Sequence, residues 1–251
     1  MASAKGVAIV TGGGRGIGAA IAKGLAADGY AVAVNYASNE SAAAKTVAEI
    51  VGSGGTAIAV QADVAEEADV IRLFATVDRR LGAPAVLVNN GGVTGGFSRL
   101  ADLPASALAR VFSVNVFGAF LCCREAVRRM STRRGGAGGS IVNVSSRAAQ
   151  LGGVGEWIHY AASKGALDTL TVGLAREVAA EGIRVNAVAP GLIDTELHAA
   201  AGMPDRVERM APTVPMARTG TAAEVADCVR FLVSPAAAYV TGAVLPVSGG
   251  R

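Results

Sequence analysis

The sequence predicts one α/β domain built on a doubly wound parallel sheet, and three observations carry that expectation. Short apolar runs alternate with longer Ala/Leu/Val-rich helical patterns from end to end. The runs are nearly continuous rather than alternating, as strands covered by helices on both faces require. A glycine-rich turn, Thr11-Gly12-Gly13-Gly14-Arg15-Gly16-Ile17-Gly18, follows the first run directly. In order, the expected strands are 7–10, 31–35, 57–61, 86–89, 140–144, 183–189 and 243–247, about seven in all. Between them the 3.6-residue period places helices near 16–28, 39–53, 66–81, 104–131, 159–181 and 221–233. Strand–helix alternation of this kind winds with right-handed crossovers. No Pro-, Ser- or charge-rich linker divides the chain, so residues 1–251 read as a single domain, and 135–139 as a short loop.

Composition narrows the function classes. In 251 residues, 51% are hydrophobic and 17% charged, enough for a large core and unlike a disordered chain. A net charge of +3 implies no nucleic-acid partner. Arg124, Arg128, Arg129, Arg133 and Arg134 form a basic run, read as a solvated helix end that complements the helix dipole. Cys122, Cys123 and Cys228 have neither disulfide-framework nor metal-ligand spacing, and no metal site is expected. The N-terminus lacks a leader pattern, and apolar stretches look interrupted before membrane-spanning length, so the expectation is a soluble cytoplasmic protein.

The segment 191–220 is irregular, holding Pro204, Pro212 and Pro215 without a clear period. It follows the C-terminal end of a strand, where open α/β sheets bind ligands, so it is read as a substrate lid. The lid also carries His198.

Two motifs carry the chemistry. The glycine-rich turn permits close backbone approach, and the helix that follows it offers unpaired N–H groups to a pyrophosphate. A carboxylate at the end of the second strand would hold the ribose of NAD and repel a 2′-phosphate. Here the residues are Val34-Asn35-Tyr36-Ala37-Ser38-Asn39, with no acid before Glu40. Arg15 supplies a cation to meet such a phosphate, and Ser38 and Asn39 add neutral hydrogen-bonding groups. In the second motif, Tyr160 and Lys164 stand four residues apart, on one face of a helix. A tyrosine of ordinary pKa near 10 exchanges protons poorly at neutral pH, and a neighbouring ammonium is expected to favour phenolate.

Together these segments resemble the short-chain dehydrogenase/reductase family, and the resemblance runs nearly the whole chain. It implies a Rossmann fold and a catalytic set of Asn115, Ser146, Tyr160 and Lys164. In the family's pattern Tyr160 trades the proton, Ser146 bonds the same substrate oxygen, Lys164 holds the nicotinamide ribose, and Asn115 holds a relay water. Cofactor contacts are implied for Gly12, Gly14, Arg15, Gly16, Ile17 and Gly18 in the turn, and for Asn35, Tyr36, Ala37 and Ser38 beyond the second strand. The resemblance adds Asp63-Val64 at the adenine, Asn90-Gly91-Gly92 in a variant of the N-N-A-G segment, and Pro190-Gly191-x-Ile193-x-Thr195 at the nicotinamide carboxamide. Asn89 reads as a structural tie between strands. Arg218-x-Gly220 and Tyr239-Val240-Thr241-Gly242 match the C-terminal pattern. Relatives usually place the serine one residue closer to the tyrosine, so one inserted residue is read within 147–158. Ser248 stands where relatives commonly carry an acid.

The inserted loop brings Trp157 to the threshold of the catalytic helix as a possible pocket wall, whereas His159 is read as structural. The resulting expectation is an NADP(H)-preferring, rather than NAD(H)-preferring, oxidoreductase interconverting a carbonyl and a secondary alcohol on a small-molecule substrate. Its alternatives are a 3-oxoacyl-acyl-carrier-protein reductase, a glucose 1-dehydrogenase-like sugar dehydrogenase, and a dinucleotide-sensing regulator. The resemblance further implies a homotetramer, in keeping with helices 104–131 and 159–181 that are apolar on more than one face.

Overall fold

The seven apolar runs form seven parallel strands in the computed structural model, which describes residues 5–195, 202–203 and 205–251. They are β1 (Val7–Val10), β2 (Ala31–Tyr36), β3 (Thr56–Gln61), β4 (Pro84–Asn89), β5 (Gly139–Val144), β6 (Ile183–Pro190) and β7 (Val244–Val247). Their order is β3-β2-β1-β4-β5-β6-β7. The chain starts at the centre, winds out to β3, then crosses to β4 on the other side of β1. That reversal opens a crevice at the C-terminal ends of β1 and β4.

Strand parity builds the two cores. Ile9, Ala33, Leu87, Ile141 and Val185 face one layer, formed by α3 (Glu67–Arg80), α5 (Gly118–Met130) and α7 (Ile158–Val178). Ala8, Val10, Val32, Val88 and Val188 face the other, formed by α1 (Gly16–Ala27), α2 (Glu40–Gly52) and α9 (Ala222–Val233). Each fully buried Leu, Ile or Phe contributes about 1.5–3 kcal/mol, so the sheet is held chiefly by these faces. A bidentate Arg230–Asp28 pair, at 2.6 and 2.8 Å, ties α9 to the end of α1. Asn89 donates to Asn143 Oδ1 at 2.9 Å, the inter-strand tie expected of it.

Several local expectations need correction. The run 104–131 is not one regular helix: α4 (Ala105–Phe112) passes through a π-helical turn, Ser113–Phe117, into α5. The helix predicted to 181 ends as α-helix at Val178, and Gly139 belongs to β5 rather than to a loop. Short helices α6 (Ala148–Leu151) and α8 (Arg206–Met210) were not anticipated. Ala105–Met130 is also long and apolar enough to cross a membrane, with mean hydropathy 1.6, contrary to the sequence expectation. Its inner face is core, with Cys122, Cys123, Ala126 and Met130 packed against the sheet.

The arginine run does close α5 and the turn after it, with Arg128, Arg133 and Arg134 exposed, and several of its members also pair with acids. Arg128 and Arg129 bond Glu125, which is 4% exposed, and Arg129 also bonds Asp78. Arg124 pairs with Glu67 and Arg133 with Glu181. Since α5 leads back toward the start of β5, Arg128, Arg129 and Arg133 lie toward the N-terminal ends of the strands, whereas Arg124 reaches Glu67 at the start of α3.

Candidate active site

The crevice is a cavity of about 520 Å³. At its near end the glycine-rich turn is backbone throughout. Gly12 and Gly16 have φ of +60° and +51°, the left-handed region where a side chain strains the chain. A Cβ on Gly18 would run into the Gly12 carbonyl and the Asn90 amide, so glycine there lets α1 begin hard against the turn. Asn90 Nδ2 donates to Thr11 O and Gly12 O at 2.9 and 3.0 Å. The Asn90 and Gly91 N–H groups donate to Thr11 Oγ1 at 3.0 and 2.9 Å. Asn90 therefore braces the cradle as well as lining it, with Gly91, Gly92 and Val64 beside it.

Tyr36 at the end of β2, with Ala37 and Ser38 after it, borders the cavity together with Gly14, Arg15 and Ile17. Two asparagines that border the cavity are also tied into the fold. Asn35 is 2% exposed and gives its amide to Val60 O and Ala62 O at 3.2 and 3.0 Å, while its Oδ1 accepts from Gly12 N. Asn39 caps α2, its side-chain oxygen accepting from Ala42 N at 3.0 Å. Asp63 borders the cavity and pairs with Arg110 at 3.0 Å. Arg110, also on the wall, was missed by the sequence reading, because no motif marks its place on α4.

At the far end, β5 delivers Ser146 and α7 delivers Tyr160 and Lys164 to one wall. Of the two adjacent serines, Ser145 is 2% exposed and donates to Lys164 O at 3.3 Å. Ser146 borders the cavity beside Tyr160, and its hydrogen bond is the influence that favours the phenolate. Lys164 Nζ donates to Val144 O at 2.8 Å and lies 5.6 Å from the centroid of the Tyr160 ring. Asn115 sits in the π turn, its Oδ1 accepting from Val93 N at 2.8 Å and its Nδ2 donating to Val93 O and Ser163 Oγ. Its amide thus pins the loop after β4 beside Lys164. A Cβ on Gly92 would meet both Asn115 Oδ1 and Lys164 Nζ.

The electrostatics correct one expectation. Burial pushes the Tyr160 phenol up to about 12, with only the Ser146 hydrogen bond opposing it. Lys164 does not lower it in this arrangement, because its ammonium is turned to the Val144 carbonyl. Burial also lowers Lys164 itself to about 8, against the pull of Asp168 one turn along α7. Asp168 is raised by burial, though Gln150 hydrogen-bonds it at 2.8 Å and Lys164 and Arg147 favour its charge.

Over the far end lies Trp157, 6% exposed, which borders the cavity beside Tyr160. His159 is buried and packs near Gly95, off the cavity wall. Pro190, Gly191, Ile193 and Thr195 continue the wall after β6, and Ile193 pairs with Gly220 across the root of the lid. Arg218 pairs with Glu224 at the start of α9. His198 and Pro204 of the lid lie outside the described residues.

A cradle of this geometry at the switch point, with a proton-bearing wall opposite, is that of a dinucleotide-dependent enzyme, and comparison with known proteins agrees. A family model described as enoyl-(acyl carrier protein) reductase matches residues 12–251. The chain is 51% identical over 245 residues to an uncharacterised oxidoreductase of Escherichia coli K12, YgfF, covering 98% of this chain and 99% of the relative. It is 40% identical over 245 residues to a 3-oxoacyl-acyl-carrier-protein reductase of Synechocystis, covering 97% and 96%. Among solved structures, a blue fluorescent protein from a metagenomic library in complex with NADPH superposes with a TM-score of 0.89 at 37% identity, over 98% of each chain. A Serratia marcescens short-chain dehydrogenase/reductase does so with 0.90 at 36%, again over 98% of each. The chain belongs to the short-chain dehydrogenase/reductase family and is an oxidoreductase.

Proposed function

We propose that this enzyme prefers NADP(H) and interconverts a carbonyl and a secondary alcohol, with Tyr160 as general acid and base. The observation that carries this reading is the pairing of Ser146 with Tyr160 in the cavity whose other end is a glycine turn flanked by the acid-free segment 34–39. The residues fit the cofactor: a bare glycine turn at a helix N-terminus receives the pyrophosphate, and Arg15 and Ser38 receive the 2′-phosphate. NADP(H), when bound, supplies or accepts the hydride. Tyr160 gives its proton to the carbonyl oxygen in reduction and takes the hydroxyl proton in oxidation. Ser146 donates to the same oxygen as charge gathers there. Lys164 orients the ribose, and Asn115 keeps the loop after β4 in register with Lys164. Turnover of a ketone and aldehyde panel with NADPH and with NADH tests the reading. No turnover of any member would overturn it.

On cofactor choice, kcat/KM with NADPH should exceed that with NADH by about 10- to 100-fold. Arg15→Ala should narrow the ratio mainly through KM, because the contact is the same in ground and transition states. Comparable efficiency with both cofactors in the unmodified enzyme would refute the assignment.

The two serines separate function from packing. Ser146→Ala should lower kcat by about 100- to 1000-fold, the range for losing one donor to a developing oxyanion. Ser145→Ala should act mainly on stability, and equal kcat losses would undo the register.

A 3-oxoacyl-acyl-carrier-protein reductase, as the Synechocystis relative is named, would need cations at the cavity mouth to receive an acidic carrier. Arg128 and Arg129, the candidates for that role, are bonded to Glu125 and Asp78 at the other end of the sheet. The small-molecule reading is therefore preferred. For assembly, we expect a homotetramer. Leu108, Phe117 and Phe120 stand exposed along α4, the π turn and α5, a stripe that a second copy would cover. Light scattering that gives a monomer at every concentration would contradict this.

A further inference from the structure

Three segments with no regular period meet beside Tyr160: the loop after β4, the inserted loop before α7, and α8 of the lid. Phe97 and Trp157 stack with centroids 4.5 Å apart and planes at 24°. Trp157 is in turn tilted against the Tyr160 ring at 5.4 Å. The Arg206 guanidinium lies 4.9 Å from the Trp157 ring and 5.4 Å from the Phe97 ring. Arg206 is only 4% exposed, and it forms an ion pair with Glu156, the residue before Trp157. Glu156 O accepts from Ser98 N at 2.8 Å, closing the ring of contacts back to the Phe97 loop.

Each contact has a physical reason. A guanidinium over aromatic faces is attracted by their quadrupoles, the more so when desolvated. Its charge is balanced by Glu156, so a neutral cluster stands behind Trp157, the member that borders the cavity. Offset rings prefer another flat π-system to a bulky saturated one.

Resting on the reductase reading above, we infer that Trp157 forms the substrate-selecting wall, backed by Phe97 and clamped by Arg206 and Glu156. The wall takes neutral carbonyl compounds whose carbonyl carbon bears a flat, unsaturated group. Trp157 touches that group while the carbonyl oxygen points at Tyr160. Arg206 and Glu156 are positioning residues that act through the two rings.

The chain holds a single tryptophan, so its fluorescence reports this wall and nothing else. The first arm titrates the cofactor-free protein with benzyl alcohol and with cyclohexylmethanol while reading Trp157 emission. The flat alcohol should bind with about three- to tenfold lower Kd, the range for one aromatic pair. In the second arm, kcat/KM with NADPH is measured for benzaldehyde and cyclohexanecarbaldehyde. Trp157→Leu should lower the benzaldehyde-to-cyclohexanecarbaldehyde ratio by about three- to tenfold, with NADPH affinity unchanged. Phe97→Leu should shift the ratio the same way, and it stands in should the Trp157 variant fail to fold. Arg206→Met should raise KM for benzaldehyde more than it lowers kcat, and Arg206→Lys should restore only part. An unchanged ratio in the folded Leu variants, or equal Kd for the two alcohols, overturns the wall. Selective binding without turnover of either aldehyde or of any ketone in the panel overturns the reductase reading and leaves the wall standing.

Discussion

Tyr160→Phe should lower kcat by about 10²- to 10⁴-fold, the contribution of a positioned proton donor, and leave NADPH affinity within about twofold. The substitution removes one oxygen and keeps the ring that packs against Trp157. The pH profile gives an independent check. Because burial holds the phenol near 12, the proton donor for reduction stays protonated through the neutral range. Reduction should therefore show no falling limb from Tyr160 below about pH 10. Alcohol oxidation needs the deprotonated phenol and should rise with pH across the same interval. A coupled Tyr160–Lys164 pair would report apparent values belonging to both groups. Near-normal reduction by Tyr160→Phe on a verified substrate would remove Tyr160 from the proton transfer.

How much of this was legible in the sequence depends on whether a feature is written in a period or in a packing arrangement. The strands read directly because helices cover both faces and force continuous apolar runs such as Val7–Val10. Gly12, Gly16 and Gly18 read directly too, since left-handed backbone and close approach exclude other residues. The strand that ends at Val144 places Ser145 and Ser146 at the cavity, and the Ser146→Ala and Ser145→Ala pair tests which of them acts. The π turn at Asn115 did not read, because one extra residue in a turn leaves the apolar pattern nearly unchanged. Nor did the Phe97–Trp157–Arg206 cluster, whose members come from three loops or short segments that share no period. Four-residue spacing put Lys164 beside Tyr160, but spacing cannot say whether attraction or desolvation wins. Burial decided that, and it raised the phenol instead of lowering it.

The same burial makes Lys164 a site where activity and stability should part. Lys164→Met should weaken NADPH binding and lower turnover, if Lys164 orients the ribose as proposed. It should nevertheless stabilise the cofactor-free fold at neutral pH. The lysine falls from 10.5 to about 8 on folding, because burial penalises its charged form. Below about pH 8 it is charged in both folded and unfolded chains, and the folded state carries the full penalty. Between about 8 and 10.5 the folded chain gives up the proton while the unfolded chain keeps it, so stability rises with pH. Above that window neither state is charged and the penalty is gone. A shift of this size corresponds to an upper bound on the order of 3 kcal/mol. Losing the hydrogen bond to Val144 O returns about 1 kcal/mol of it, leaving a net gain of about 1–2 kcal/mol and a Tm a few degrees higher. The parent's urea midpoint should climb between pH 8 and 10.5 where that of Lys164→Met stays flat. A variant that melts below the parent at pH 7 would show that Lys164 is held at no cost to the fold.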